Sequence, residues 1–113
     1  MDGRRQTGRE RRLLVEVADN PEESRYEIRV DGELAGRIDY RSRGSRVAMI
    51  HTEIDPAFEG RGLATQLIST ALDEARERGL QVLPHCPFVR AYVARHAEYV
   101  ELVPEAARER FGL

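Results

Sequence analysis

The fold of this chain is decided by residues 54–64, which read IDPAFEGRGLA. An apolar strand ends here, Pro56 interrupts it, and a turn with two glycines opens directly into an amphipathic helix. Glycines let a ligand approach the backbone closely, and the first N–H groups of a helix have no partners within the helix. Because the helix dipole also favours negative charge there, the stretch can bind a phosphate. The alternative is that Gly60 and Gly62 only form a tight connection between strand and helix.

The sequence after the glycines has the period of helices. Apolar residues recur every three or four positions over residues 63–75, which predicts one amphipathic helix, and Gly79 suits its end. Residues 80–83 are a short apolar run that predicts a buried strand. A second helix is predicted over residues 87–96, and the tail is expected to form one more helix that opens near Pro104.

The sequence before the glycines has the period of strands. A short apolar run at residues 13–17 suits an edge strand, and residues 26–30 alternate between apolar and charged side chains. Asp31-Gly32 then predicts a tight hairpin turn, because both residues tolerate a positive φ. The first part of the chain is therefore expected to form antiparallel strands.

The return strand is predicted over residues 33–40, followed by a polar loop at residues 41–46 and a further strand at residues 47–54. The residues expected on one face of the return strand are Leu34, Gly36, Ile38 and Tyr40. This order of elements predicts an α/β (α+β) fold, a mostly antiparallel mixed sheet with helices packed on it. One pair of strands should be parallel, because the first helix crosses between them.

Composition limits the organisation of the chain. Its 113 residues have room for one domain, which we place at residues 12–113 behind a flexible arginine-rich arm at residues 1–11. Charged residues make up 34% of the chain, against about 25% in typical globular proteins, so we expect strongly charged faces. A net charge of −2 disfavours a dedicated nucleic-acid binder, so an RNA- or protein-binding module acting through the arm is the least favoured class of function.

Cysteine usage and hydropathy limit the compartment. Cys86 is the one cysteine, which excludes an internal disulfide and fits a reducing compartment. We find no secretory signal and no apolar window long enough to span a membrane. We therefore expect a cytoplasmic monomer or small oligomer without membrane contact.

A family resemblance adds to this interpretation. Residues 59–64 resemble the acetyl-coenzyme A loop of the GNAT N-acetyltransferase superfamily, which has Gln or Arg, two residues, Gly, one residue, and Gly or Ala. Here Glu59 stands at the first position, where an acid cannot donate to a phosphate. Residues 49–56 and 84–99 are similar to the short, single-domain branch of the superfamily. The resemblance covers about residues 26–103 and implies the minimal acyl-coenzyme A N-acyltransferase fold.

The resemblance implies that acetyl-coenzyme A is bound and that its acetyl group is transferred to a primary amine. Strands 47–54 and 80–84 would splay apart around the pantetheine, with the N–H of Ile54 facing the thioester carbonyl. Backbone N–H groups of the loop and of the first helical turn would hold the pyrophosphate. The expected coenzyme-binding residues are Thr52, Ile54, Glu59, Gly60, Arg61, Gly62, Leu63, Ala64 and Thr65.

Acetyl transfer to an amine also needs a group that takes a proton from the attacking ammonium. His51 and Glu53 lie two residues apart on one strand, so they share the face beside the expected thioester. Either side chain could act directly or through a water. The alternatives are that Glu53 is a solvated strand residue and that His51 is packed on the sheet.

Cys86 is a further catalytic candidate. Pro87 biases it toward extended backbone and suits the first helical position, so Cys86 is expected near an N-cap, where the dipole favours a thiolate. Two catalytic roles follow, an acetyl-cysteine intermediate or a contact and proton donor to the coenzyme thiol. The alternative is a buried small apolar side chain. Tyr92 is a secondary candidate for protonating the coenzyme thiolate, and the alternative is that it only packs against the sheet.

The remaining features are less specific. The histidines and Cys86 lack a regular metal-ligand spacing, so no metal site is predicted. We expect Arg41, Arg43 and Arg46 to ring the mouth of the pocket and to contact an anionic acceptor. A second functional hypothesis, motivated by Glu59, is a non-catalytic acyl-coenzyme A binder or sensor on the same fold. The acceptor, a small molecule or a protein amine, is not specified by the sequence.

Overall fold

A five-stranded sheet in the order β1-β2-β3-β4-β5 organises residues 14–113, the part of the chain that the computed structural model describes. The strands are β1 (Val15–Asn20), β2 (Arg25–Val30), β3 (Glu33–Arg43), β4 (Arg46–Ile54) and β5 (Gln81–Pro84). The helices are α1 (Leu63–Glu77), α2 (Pro87–Arg95) and α3 (Glu105–Arg108), with 3-10 turns at Pro56–Phe58, Ala97–Leu102 and Glu109–Phe111. The arm predicted for residues 1–11 lies outside the described residues.

The strand pairing confirms the predicted fold class. Strands β1 to β4 are antiparallel neighbours, and β4 and β5 form a parallel pair across α1. Asp31 and Gly32 both have positive φ, at 50° and 86°, so this pair forms the tight turn that the hairpin between β2 and β3 requires. The helices α1 and α2 begin where predicted, whereas α3 is only one turn long.

The predicted loop at residues 41–46 is wrong. β3 continues to Arg43, which pairs directly with Arg46 at the start of β4, so the connection shrinks to Gly44 and Ser45. Polarity suggested a loop here, but an antiparallel ladder accepts polar side chains wherever one face of the sheet meets water. The longer hairpin places three arginines on the sheet instead of beside the predicted pocket.

Two β-bulges shift the alternation of side chains along the sheet. In β3, Ala35 is the extra residue between two successive pairs with β2, and in β4 the extra residue is Ile50. A bulge moves every later residue to the opposite face. The prediction that Leu34 shares a face with Gly36 is therefore wrong, because Leu34 is exposed while Ala35 is buried. Past the second bulge, Thr52 takes the buried side of β4.

The core lies between the sheet and the helices. The apolar stripe of α1 is buried as predicted and consists of Leu63, Leu67, Ile68, Ala71, Leu72 and Ala75. It packs in one cluster with Tyr26 and Ile28 of β2, Val47 and Met49 of β4, and Val89 of α2. Burial of each large aliphatic side chain contributes about 1.5–3 kcal/mol, so this cluster fixes α1 against the sheet.

The other side of the sheet is polar and is called the polar face below. It carries Arg25, Glu27 and Arg29 on β2, Arg37, Asp39, Arg41 and Arg43 on β3, and Arg46, His51 and Glu53 on β4. Most of these side chains are at least partly exposed to solvent. Across residues 14–113, none of the helices is both long and apolar enough to cross a membrane.

Candidate functional site

The strands β4 and β5 separate halfway along β4. Their parallel pairing ends at Met49 and Pro84, and the N–H of Cys86 makes a last hydrogen bond of 2.9 Å to the carbonyl of Met49. Beyond this point the chain turns into α2, so none of the strands within residues 14–113 pairs with residues 50–54 of β4 on that side. The sheet therefore opens into a cleft beside the end of β4.

Backbone donors of β4 point into this cleft. The N–H of Asp55 donates to the carbonyl of Ala35 on β3, at 2.8 Å, which makes Ile54 and Gly36 a non-hydrogen-bonded pair. The N–H and C=O of Ile54 consequently point away from β3, and those of Thr52, two residues earlier, do the same. Among the strands that the structure describes, neither N–H has a partner on that side, so both can donate to a ligand in the cleft.

The glycine loop forms the other end of the cleft. Gly60 and Gly62 have φ values of 83° and 72°, and a Cβ added at either position would meet no atom within 4 Å. Gly62 is the N-cap of α1 and brings no capping side chain, and the first helical bond runs from Gln66 N to Gly62 O at 3.3 Å. The N–H groups of residues 63–65 therefore lie at an open helix N-terminus, where an anion is stabilised.

A cavity of about 390 Å³ joins these two groups of donors. Its lining is Thr52, Glu53, Ile54, Phe58, Glu59, Gly60, Gly62, Leu63, Ala64, Thr65 and Phe88. All residues predicted to bind the coenzyme line this cavity except Arg61, whose guanidinium stacks over the ring of Phe58 at 5.3 Å.

Two aromatic residues of the cavity, Phe58 and Phe88, were not predicted from the sequence. Phe88 is 62% exposed, and it lies outside the buried stripe of α2, which consists of Val89, Tyr92 and Val93. Phe88 could have been identified from the sequence, because it is an aromatic residue that lies off the apolar stripe of its helix. Together the two phenylalanines add apolar surface to the lining of the cleft.

His51 and Glu53 share the polar face and contact each other. His51 Nε2 lies 3.2 Å from Glu53 Oε1, and Arg37 Nη2 donates to the same oxygen at 3.3 Å. Glu53 lines the cavity and His51 does not. The carboxylate is thus oriented by a cation and an imidazole, and Glu53 is part of the lining of the cleft.

Cys86 lies behind the wall of the cavity. It is 1% exposed, and its Sγ is 3.2 Å from Oγ1 of Thr52, which does line the cavity. Cys86 is the N-cap of α2 with an extended backbone, as predicted. The buried thiol contacts the cleft through the hydroxyl of Thr52.

The remaining candidates lie away from the cleft. Tyr92 is 9% exposed, does not line the cavity, and stacks on His96 with ring centroids 4.0 Å apart. The ring of Tyr99 lies 5.8 Å from that of Tyr92, and its hydrogen bond to Asp73, with burial as the second cause, raises the pKa of Tyr99 to about 12. The expectation that Arg41, Arg43 and Arg46 ring this pocket is wrong, because they line a separate cavity on the polar face.

Comparisons with known proteins agree with this geometry. Residues 25–102 match the family model of the GCN5-related N-acetyl-transferase. The solution structure of a GCN5-like protein from Staphylococcus aureus aligns with a TM-score of 0.60 at 20% identity, over 79% of this chain and 87% of that one. The crystal structure of a ribosomal-protein-alanine N-acetyltransferase from Brucella melitensis biovar Abortus 2308 gives a TM-score of 0.50 at 22% identity, over 71% of this chain and 60% of its own. Curated protein sequences give no significant match.

The two structural matches are below 25% identity and concern the fold alone. The family model is broader in what it covers, because it includes the separated strands, the glycine loop and the segment around Cys86. It also matches well over half of the chain. The chain therefore belongs to the GCN5-related N-acetyltransferase family.

Proposed function

We propose that this protein is an acetyl-coenzyme A-dependent N-acetyltransferase that acts on a primary amine. The observation that supports the proposal most directly is the cleft itself. It runs from the unpaired N–H groups of Thr52 and Ile54 to the open N-terminus of α1. One elongated ligand with amide groups at one end and phosphates at the other matches both sets of donors.

The residues of the cleft fit the coenzyme. The N–H groups of residues 63–65 and the backbone of Gly60 and Gly62 would bind the pyrophosphate, since no Cβ keeps phosphate oxygens at a distance. The N–H and C=O of Thr52 would bind pantetheine amides in the way a neighbouring strand does. Phe58 and Phe88 would contact the apolar parts of the arm.

The chemistry divides between backbone and side chains. Acetyl-coenzyme A supplies an acetyl group activated as a thioester. The N–H of Ile54, fixed by the β3–β4 ladder, would donate to the acetyl oxygen as negative charge develops on it. Glu53 would accept the proton of the amine directly or through a water, and His51 would take part in relaying it.

Cys86 is assigned a positioning role in this proposal. A thiol that is 1% exposed behind Thr52 cannot reach an acetyl carbon in the cleft without a rearrangement. When the thiol donates to the Thr52 hydroxyl oxygen, this contact orients the hydroxyl, and its single proton would be free to donate to the sulfur that leaves. Transfer would then pass directly from coenzyme to amine.

Calorimetric titration of acetyl-coenzyme A into the protein and its Gly62→Ala variant tests the binding site. A methyl group at Gly62 would occupy space that the phosphates need, so affinity should fall by about tenfold or more. Gly79→Ala is the matched control, because Gly79 also has a positive φ of 69° and an equally open Cβ position. Both variants should lose similar stability, about 1 kcal/mol, and only Gly62→Ala should lose affinity.

Absence of coenzyme binding by the unaltered protein would overturn the proposal, and so would equal losses of affinity in the two glycine variants. Turnover is a separate test, made by mass spectrometry of a broad panel of amines after incubation with acetyl-coenzyme A. Glu59 favours the alternative function, a non-catalytic binder or sensor, because it places an acid in the lining of the cavity. Tight binding without acetylation of any amine would support that alternative.

A further inference from the structure

The polar face of the sheet divides into two halves with different charge balance. In the half near β2, arginines are matched by carboxylates. Arg25 and Arg29 contact Glu27 at 2.8 and 3.1 Å, and Arg37 contacts Asp39 and Glu53 at 3.1 and 3.3 Å. This half is close to neutral, with one ion-pair cluster centred on Glu27 and another centred on Arg37.

The half around the β3–β4 hairpin is cationic. Arg41, Arg43 and Arg46 form no ion pair with any carboxylate of residues 14–113. Arg43 and Arg46 are direct cross-strand neighbours, an arrangement of like charges that destabilises a sheet. Arg46 is further held by a hydrogen bond from Nε to Gln81 at 3.2 Å. These positive charges lack an anion within the described fold.

The three arginines surround a concave surface with an apolar floor. They line a cavity of about 520 Å³ together with Ala48 of β4 and Leu83 of β5. Ala48 and Leu83 are opposite each other in the parallel pair and are both partly buried. The cavity is thus large enough for side chains of a partner and presents guanidinium groups suited to bind carboxylates in bidentate fashion.

We propose that this arginine cavity docks an acidic peptide segment of a protein acceptor, an inference that rests on the acetyltransferase function proposed above. The residues that line the cavity include no aromatic side chain on which a nucleic-acid base could stack, which favours a peptide over single-stranded RNA. The charge of the cavity also complements a run of glutamates or aspartates.

The position of the cavity on the sheet links it to the cleft. Arg46 and Glu53 lie at opposite ends of β4 and on the same polar face. About seven residue steps separate them, which is roughly 23 Å along a strand. An extended peptide covers at most about 3.5 Å per residue, so the acetylated amine should follow or precede the acidic run by about seven residues.

The test uses synthetic peptides that carry a run of glutamates, a neutral linker and one lysine, with glutamine versions as controls. Fluorescence anisotropy gives their affinity for the full chain, and acetylation kinetics give KM and kcat. We expect the glutamate peptide to bind about tenfold more tightly than the glutamine peptide. Only linkers of about seven residues or more should lower KM, because linkers of about three residues cannot reach the cleft.

Two arginine variants test whether the acidic peptide binds at the arginine cavity. Arg41→Gln with Arg43→Gln should remove the preference for glutamate peptides and should act on KM rather than on kcat. Arg95→Gln, at an exposed position of α2, is the matched control and should keep the preference. Thermal unfolding of both variants checks that each is folded.

Three results would overturn the docking site: equal affinity for glutamate and glutamine peptides, equal losses in the double variant and the Arg95 variant, or tighter binding of single-stranded RNA of the same charge. Acetylation of small amines in the same preparation would show that the proposed function survives such a failure. Binding of acidic peptides with no acetylation of any amine would instead overturn the acceptor role together with the proposed function.

Discussion

Thr52 and Cys86 are the residues whose roles the structure changes most. From the sequence, Cys86 was a candidate for an acetyl-cysteine intermediate or for a contact to the coenzyme thiol, with a buried small side chain as the alternative. The fold buries it to 1% exposure and places Thr52 between it and the cavity. A strand residue on the buried side is ordinarily apolar, so a threonine hydroxyl there is informative. Its partner is the Cys86 sulfur at 3.2 Å, and a thiol that donates to the hydroxyl oxygen leaves the hydroxyl proton for a ligand in the cavity.

Three substitutions separate the possible roles of this pair. Thr52→Val keeps the shape of the side chain and removes the hydroxyl, so kcat should fall by about tenfold to a hundredfold. Cys86→Ser can still hydrogen-bond to Thr52 and should keep nearly full kcat, and Cys86→Ala should lose only a few-fold. Steady-state kinetics of the three variants provide the measurement. Loss of all activity in Cys86→Ser, with an acetyl group accumulating on Cys86 of the unaltered protein, would establish the covalent intermediate instead.

Glu53 is the residue on which proton transfer should depend most. It lines the cavity, and its carboxylate is oriented by His51 and Arg37. Glu53→Gln should lower kcat by about 10²-fold or more, with little change in coenzyme affinity, because a positioned general base contributes at least this much. Asp39→Asn is the control, since Asp39 also binds Arg37 but does not line the cavity. A larger loss in the Asp39 variant would mean that the charge network, not the base, had been disturbed.

At the scale of elements, periodicity predicted most strands and helices because local sequence decides them. The Asp31-Gly32 turn, the stripe of α1 and the Pro87 start of α2 are all local signals. The bulges at Ala35 and Ile50 have no such local signal, because an extra residue in one strand is defined only by its register with the paired strand. The bulge in β4 determines the arrangement of the site, because it turns Thr52 toward the buried side of the sheet and His51 toward the polar face.

Gly36 of β3 packs closely against the end of β4, the strand that carries the backbone donors of the cleft. A Cβ at Gly36 would lie 2.5 Å from Cδ1 of Ile54 and 2.8 Å from the backbone carbonyl of Glu53. The isoleucine can rotate but the carbonyl belongs to β4, so Gly36→Ala must displace the strand that carries the cleft donors. We expect a loss of about 1–3 kcal/mol in the free energy of unfolding, together with weaker coenzyme binding. Denaturant unfolding and calorimetry measure the two effects.

Gly44→Ala is the comparison for this substitution. Gly44 has a φ of 60° and open space at its Cβ position, so its replacement strains the hairpin without moving the end of β4. It should lose stability while coenzyme affinity stays unchanged. Unaltered affinity in Gly36→Ala would mean that β4 can shift without disturbing the cleft, and would contradict the link between sheet register and site.

Considered as a whole molecule, the protein has its coenzyme cleft at one end of β4 and its unmatched arginines at the other. The sequence could predict charged faces from composition, but not which arginines find carboxylates. Arg37 and Arg41 lie four residues apart on the same face of β3. Within residues 14–113 only Arg37 of the two is paired, because β4 presents Glu53 opposite it and Ala48 opposite Arg41. Cross-strand register, a property of the assembled sheet, therefore decides where the positive charge remains.

The matched half of the polar face should determine stability in acid. Burial alone would raise the pKa of Glu27, but hydrogen bonds from Arg25, Asn20 and Arg29 outweigh it and hold the pKa below its usual range. Since the unfolded chain has a pKa of about 4.3 at this residue, its carboxylate stabilises the fold fully above that pH. This contribution is lost as the pH falls through the lower pKa of the folded protein.

Glu27→Gln tests this dependence. At neutral pH the variant should lose about 1–3 kcal/mol in the free energy of unfolding, because neutral hydrogen bonds replace charge-assisted ones at a buried position. The difference from the unaltered protein should shrink as the pH falls below about 4.3. It should vanish once Glu27 is protonated in both the folded and the unfolded state of the unaltered protein. Urea unfolding from pH 7 to pH ~3 measures it, with the exposed Glu77→Gln as control. A difference that stays constant across this range would mean that Glu27 stabilises the sheet by packing and not through its charge.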